Sequence, residues 1–266
     1  MIYRGDVLAL ALIFDTHAHY DDDVFDKDRN ELLESLPSLG VGAVVNVSSS
    51  ISTAHSAIAL ADKFDYIWAA VGIHPHSVGD TNSDDLDTIR NLAQKPRVVA
   101  VGEIGLDYHY DHPKRDVQLY WFEKQLELAV SLNLPVIIHD REAHEDTLRL
   151  LKKYCPRGVV HCFSGSVEMS REVLSLGMYI GLGGTVTFKN AKKPVEVAAM
   201  LPLEWLVLET DAPYLAPTPF RGKRCHSGLI AHTAARIAEI RSMQVDELLK
   251  ITFENACRLY NIMLTE

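Results

Sequence analysis

Cysteine is scarce in this chain of 266 residues: there are four, Cys155, Cys162, Cys225 and Cys257, with no Cys-x-x-Cys spacing among them. That pattern excludes a disulfide scaffold and points to a reducing, cytoplasmic setting. Positive charge is short as well, with 26 Lys and Arg against 36 Asp and Glu and a formal net charge of −10. Broad coating of nucleic acid needs clustered cations, so any polyanion must be gripped locally or through metal. Long hydrophobic runs are missing: the longest near the start, residues 7–14, is far too short to span a bilayer, and no small-residue cleavage site follows it. Neither membrane association nor an obligate protein partner is expected. No Pro-, Ser- or Gly-rich linker divides the chain.

What the sequence does have is repetition. With 47 % hydrophobic residues it can fill a substantial core. Apolar, β-branched runs at residues 10–15, 41–47, 67–71, 98–102, 136–139, 158–161, 179–181 and 206–209 alternate with segments of helical periodicity. In one such segment, 115–132, Leu119, Phe122, Leu126 and Val130 recur at spacings of three and four. Eight unbroken βα units predict an α/β fold, a TIM (β/α)8 barrel of the metal-dependent hydrolase type, with residues 1–266 as one domain. Residues 1–9 read as an N-terminal leader and 228–266 as closing helices, at 230–241 and 245–260. A doubly wound open sheet is the competing architecture. The placement of polar residues favours the barrel.

Those residues end the strands. In Asp15-Thr16-His17-Ala18-His19 the two histidines stand two positions apart, and on a strand they project from one face, as in a metal chelate. Glu103, His139, His161 and Asp211 close four further runs, and only a closed barrel gathers these ends at one mouth. Each alone reads most simply as a hydrogen-bonded structural residue; together they form a ligand set. Imidazole and carboxylate donors suit zinc or manganese better than magnesium, and Glu103 can bridge two ions. A pair of divalent ions would clamp the attacking and leaving oxygens of a phosphoryl displacement and acidify a water. Asp211 has two candidate roles, metal ligand and general base, and forms the candidate catalytic pair with Glu103. Its neighbour Glu209 reads as a buried, paired strand residue.

Around this set, several residues carry two readings. His74 and His76 leave the third strand in a Gly-x-His-Pro-His turn, either to bind a phosphate or as a turn fixed by Pro75. Arg141 suits a non-bridging phosphate oxygen, or else pairs with Glu142 or Glu145. Tyr108 stacks on a base or caps its loop. Arg221, Lys223 and Arg224 put three cations after the eighth strand, for backbone recognition or as a solvated loop. Cys162 reads as a small buried residue and not a nucleophile. Gly181, Gly183 and Gly184 allow close backbone approach and lack a phosphate-loop pattern.

These residues sit in longer strings: Phe14-Asp15-Thr16-His17-Ala18-His19, Val71-Gly72-Ile73-His74-Pro75-His76 and Val101-Gly102-Glu103-Ile104-Gly105-Leu106-Asp107-Tyr108. Leu134-Pro135-Val136-Ile137-Ile138-His139-Asp140-Arg141-Glu142-Ala143, His161-Cys162-Phe163-Ser164-Gly165 and Leu208-Glu209-Thr210-Asp211-Ala212-Pro213-Tyr214-Leu215 follow. Together, from about residue 13 to 259, the sequence resembles the TatD family of metal-dependent deoxyribonucleases. The resemblance implies a barrel hydrolase of the amidohydrolase superfamily, acting as a 3′-to-5′ exonuclease on DNA, with single-stranded 3′ ends as substrate. It implies two divalent ions (Zn, Mn or Mg), one held by His17, His19, Glu103 and Asp211 and the other by Glu103, His139 and His161. One string departs from the family: the usual Arg-Gly-Lys-Arg-Asn, followed by an acidic residue and Pro, here reads Arg-Gly-Lys-Arg-Cys225-His226-Ser227. The rival enzymatic expectation is hydrolysis of an amide, ester or lactone, including aminoacyl-RNA, at the same site. Glu103, in place of a modified lysine on the fourth strand, and the basic loop favour phosphate. A non-catalytic barrel that retains metal while binding nucleic acid is the third reading.

Overall fold

Side-chain alternation along the strands sorts the apolar residues into two cores. In the computed structural model, which describes residues 13–263, the strands are β1 (Ile13–Ala18), β2 (Val41–Val47), β3 (Ile67–Val71) and β4 (Val98–Asp107), then β5 (Val136–Arg141), β6 (Gly158–Val160), β7 (Tyr179–Leu182) and β8 (Leu206–Leu208). Leu206 and Leu208, Ile138, Val160 and Val44 face outward onto helices, whereas Val207, Ile137, Val159, Ala43 and Val45 pack with one another inside. The strands pair in chain order, all parallel. The sheet then closes on itself: His19 N donates to Ala212 O at 2.7 Å and Asp211 N to His17 O at 2.9 Å, alongside an Ala18–Ala212 bridge. The expected barrel is present, and the open sheet is excluded.

Between and after the strands run α1 (Arg29–Ser35), α2 (Ile51–Lys63), α3 (Ser83–Leu92), α4 (Arg115–Leu132), α5 (His144–Tyr154), α6 (Val167–Ser175), α7 (Lys192–Met200), α8 (Ile230–Arg241) and α9 (Val245–Tyr260). Their ends are written locally. Ser50 with Thr53 and Asn82 with Asp85 form reciprocal capping boxes at the starts of α2 and α3. Asn133 and Asn261 end α4 and α9 in the left-handed conformation that asparagine tolerates. The last helix plugs the barrel from the N-terminal end of its strands: Leu259 and Tyr260 join Phe14, Ala43 and Val207, and Asn255 Nδ2 donates to Leu206 O. That leaves the opposite end open. No described helix is long and apolar enough to cross a membrane.

Two β-bulges decide which residues face the open end. Between Val101 and Ile104 β4 advances three residues while β5 advances two, and between Asp15 and Ala18 β1 does the same against β2. Each extra residue reverses the inward parity of its strand. Phe14 points inward before the first bulge, and His17 after it. The fourth strand runs to Asp107, five residues past its expected end at 102, so Glu103 lies within a strand and not at its terminus. On β5, β6 and β8 there is no such break, and His139, His161 and Glu209 simply continue the inward series begun by Ile137, Val159 and Val207. The expected leader at residues 1–9, the first residues of the expected first strand and the last three residues of the chain lie outside the described residues.

Candidate metal centre

At the open end, Glu103 sits 4 % exposed among imidazoles. His17 Nε2, His19 Nε2, Glu103 Oε2 and Asp211 Oδ1 form one group, whose spacings are 3.0 Å between the histidines, 3.5 and 3.6 Å from them to Glu103, and 3.7 and 3.5 Å to Asp211. Donors placed about 2.0–2.1 Å from a tetrahedral centre are roughly 3.4 Å apart, so the group has the dimensions of a four-coordinate site. The second carboxylate oxygen, Glu103 Oε1, lies 2.7 Å from both His139 Nδ1 and His161 Nε2, which are 3.4 Å from each other. Glu103 thus gives one oxygen to each group, at ligand spacing in the first and at hydrogen-bond distance in the second.

Hydrogen bonds on the far side of the rings fix which nitrogen faces inward. Val47 O, which can only accept, lies 2.7 Å from His19 Nδ1, so the neutral ring presents its Nε2 lone pair to the group. Asp107 Oδ2 lies 3.2 Å from His139 Nε2, so that ring turns Nδ1 inward. Without metal, protons take the place of cations. Burial opposes charging of His19 and His139, yet Asp211 and Glu103 raise the first to about 10, and Asp107 and Glu103 raise the second to about 9. Burial, aided by the neighbouring His161, drives His17 down to about 4. Burial would raise Glu103, but the surrounding imidazoles, His161 foremost, hold it well below the usual carboxylate range. A site that collects protons on inward-facing donors between buried carboxylates is one that divalent ions fit.

The TatD related DNase family matches this sequence over residues 14–261, a span that contains every donor named above. The chain belongs to the TatD family of metal-dependent hydrolases. It is 42 % identical to the metal-dependent hydrolase YabD of Bacillus subtilis, covering 94 % of this chain and 100 % of that one. To the 3′-5′ ssDNA/RNA exonuclease TatD of Erwinia tasmaniensis it is 32 % identical, over 94 % and 100 %. The crystal structure of YjjV, a TatD homologue from Escherichia coli, superposes with a TM-score of 0.90 at 33 % identity, over 96 % and 100 % of the two chains.

In this TatD-family barrel donors of both groups line a cavity of about 1150 Å³, with His17 buried behind them. His74, His76 and Arg141 line it with His19, Glu103, His139, His161 and Asp211. His74 Nδ1 accepts from the His76 backbone N–H, which leaves Nε2–H directed at Glu103, 3.7 Å away. Burial holds His74 well below its ordinary range, so it is a neutral donor. Arg141 has no carboxylate within 4.0 Å among the described residues; Glu142 pairs instead with His109. Its guanidinium lies 4.9 Å from the Tyr110 ring.

Other expected contacts lie elsewhere. Tyr108 turns away from the cavity, donating to Asp146 at 2.8 Å beneath the Arg115 guanidinium. Arg224 forms a two-point pair with Asp28 and lies over Phe25. Arg221 and Lys223 line a smaller neighbouring pocket. The divergent Cys225-His226-Ser227 stretch fastens its loop: Cys225 is buried, and Ser227 Oγ donates to Asp15 Oδ2 at 2.7 Å and also meets the Tyr20 hydroxyl. Burial holds the Cys162 thiol far above its usual range, so it stays neutral. Gly181 makes room for Glu209, since a Cβ there would meet Oε2 at 2.4 Å, and burial raises Glu209 to about 7.

Sequence reasoning missed Asp107 and Tyr110. Asp107 is fully buried, takes the His109 and Tyr110 backbone N–H groups on Oδ1, and shares Oδ2 between His139 and His76. Its inclusion in the Gly105-Leu106-Asp107-Tyr108 string was the available signal. Asp107→Asn is expected to weaken metal binding at the His139 group by about 10- to 100-fold. An amide whose oxygen keeps the two backbone donors turns its NH2 toward His139 and forces the proton onto Nδ1. Calorimetric titration of metal into stripped protein checks this; two undisturbed binding events would refute it.

Proposed function

We propose that this protein is a 3′-to-5′ exonuclease acting on single-stranded DNA ends with two divalent ions, zinc or manganese being favoured over magnesium by the four imidazole donors. The observation that carries the reading is Glu103, with one oxygen in each of two donor groups at the floor of a cavity whose wall offers Arg141, unpaired among the described residues. The relatives named as ssDNA/RNA exonucleases support it. His17, His19, Glu103 and Asp211 would hold one ion and Glu103, His139 and His161 the other. Bound there, they would supply Lewis acidity toward a phosphoryl oxygen and acidify a water.

The remaining steps fall to side chains. Asp211 is held below its ordinary range: burial opposes this, but the His19 hydrogen bond and the nearby imidazoles prevail, so Asp211 is ionised at neutral pH and free to take a proton from the attacking water. Arg141 would grip a non-bridging oxygen and His74 Nε2–H would donate to the phosphate. Tyr110, 62 % exposed beside His76 and Arg141, offers a base a stacking face. Asp21, Asp22 and Asp23 line another part of the wall, where they would repel the second strand of a duplex.

Chelator-stripped protein given 3′- or 5′-labelled single strands, with magnesium, manganese or zinc restored separately, tests the proposal. Stepwise loss from the 3′ end with manganese or zinc is expected. No cleavage with any ion would overturn it and shift attention to acyl substrates.

A further inference from the structure

Beside the central cavity lies a second, smaller one of about 320 Å³, at the low end of the roughly 300–1,000 Å³ common for small-molecule sites. Tyr214 and Leu215 line both, so the two adjoin at these residues. Its other walls include Phe188, Pro213, Arg221 and Lys223. Arg221 lies over the half-buried Phe188 ring at 4.4 Å, which braces the cation against an apolar surface. Neither Arg221 nor Lys223 has a carboxylate within 4.0 Å among the described residues, whereas Arg224, one position on, is committed to Asp28. In a chain of net charge −10, two cations without a carboxylate partner among the described residues, at a pocket walled also by Phe188, Pro213 and Tyr214 beside the central cavity, are a local attraction for one phosphate and one base.

We propose that this pocket holds the third nucleotide from the strand end, its base against Phe188 and Tyr214 and its phosphate at Arg221 and Lys223. The inference rests on the exonuclease reading, since it assumes that the central cavity takes the two nucleotides flanking the bond being cut. The pocket would then measure substrate length, with a trinucleotide gaining contacts that a dinucleotide cannot reach.

The test compares kcat/KM for di- and trideoxynucleotides in wild type, Phe188→Ala, Arg221→Gln and the ring-retaining Phe188→Tyr. Wild type should prefer the trinucleotide, and Phe188→Ala should cut that preference by about tenfold, the scale of one lost base stack. Phe188→Tyr should restore it. A folding defect would slow both substrates equally and leave the ratio alone. A wild type without length preference, or an unchanged ratio in both Phe188→Ala and Arg221→Gln, overturns the proposal. If wild type cuts neither substrate, the exonuclease reading falls by itself. Fluorescence anisotropy with the same oligonucleotides then decides the pocket: weaker trinucleotide binding by Phe188→Ala upholds it, and equal binding overturns it.

Discussion

Glu103→Gln is expected to lower hydrolysis by more than about a thousandfold, equivalent to about 4 kcal/mol of transition-state stabilisation, and to deplete both metal groups together. The reason is its double duty. Oε2 faces His17 and His19 at 3.5 and 3.6 Å, while Oε1 faces His139 and His161 at 2.7 Å. An amide of the same shape has only one acceptor, and its NH2 would point N–H bonds at donors that need a cation between them. Each of His17, His19, His139 and His161 meets only one Glu103 oxygen, so the loss of any one of them is expected to deplete metal less than Glu103→Gln does. Metal content by plasma mass spectrometry, measured with turnover, separates the cases. Glu103→Asp keeps the charge on a shorter arm and should fall between Gln and wild type. A Gln variant with full metal occupancy and undiminished turnover would refute the bridging role.

The order of strands and the inward placement of His139 and His161 were legible in the sequence because both are periodic properties. Val207, Glu209 and their counterparts on β5 and β6 follow strict alternation, so counting by two from the apolar interior reaches His139 and His161. Counting fails on β1 and β4. Their bulges add a residue without any local apolar signature, and the reversal of parity that turns His17 and Glu103 inward appears only once partner strands are known. The same continuation of β4 displaced the aromatic expectation: Tyr108 is carried to Asp146, and Tyr110 takes the place at the cavity. Arg224 shows the other limit. Its partner Asp28 lies 196 positions away, a pairing that charge spacing along the chain cannot reveal. The divergence at Cys225-His226-Ser227 resolves in a similar way, because Asp15 and Tyr20 lie on the far side of the barrel seam in sequence but are neighbours of Ser227 in space.

Asp211→Asn separates catalysis from binding more cleanly than any other substitution here. Asp211 has φ of 62°, a left-handed backbone that asparagine adopts readily, and its amide bond to His17 O does not involve the side chain. The fold and the barrel seam should therefore survive. On the proposed mechanism, what disappears is an ionised acceptor for the proton of water and one donor of the His17–His19 group. Hydrolysis is expected to fall by about 10²- to 10⁴-fold, the usual range for a lost general base. The His139–His161 group keeps all its donors, so the variant should retain more metal than Glu103→Gln. Arg141, Tyr110 and His74 are untouched, so single-stranded DNA should bind within about threefold of wild type, a change of less than 1 kcal/mol. Slow turnover with retained binding places Asp211 in the chemical step. Wild-type turnover would remove it from the mechanism. Loss of both would mean that DNA is held mainly through the metal at that group, which would shift the grip on substrate from the cavity wall to its floor.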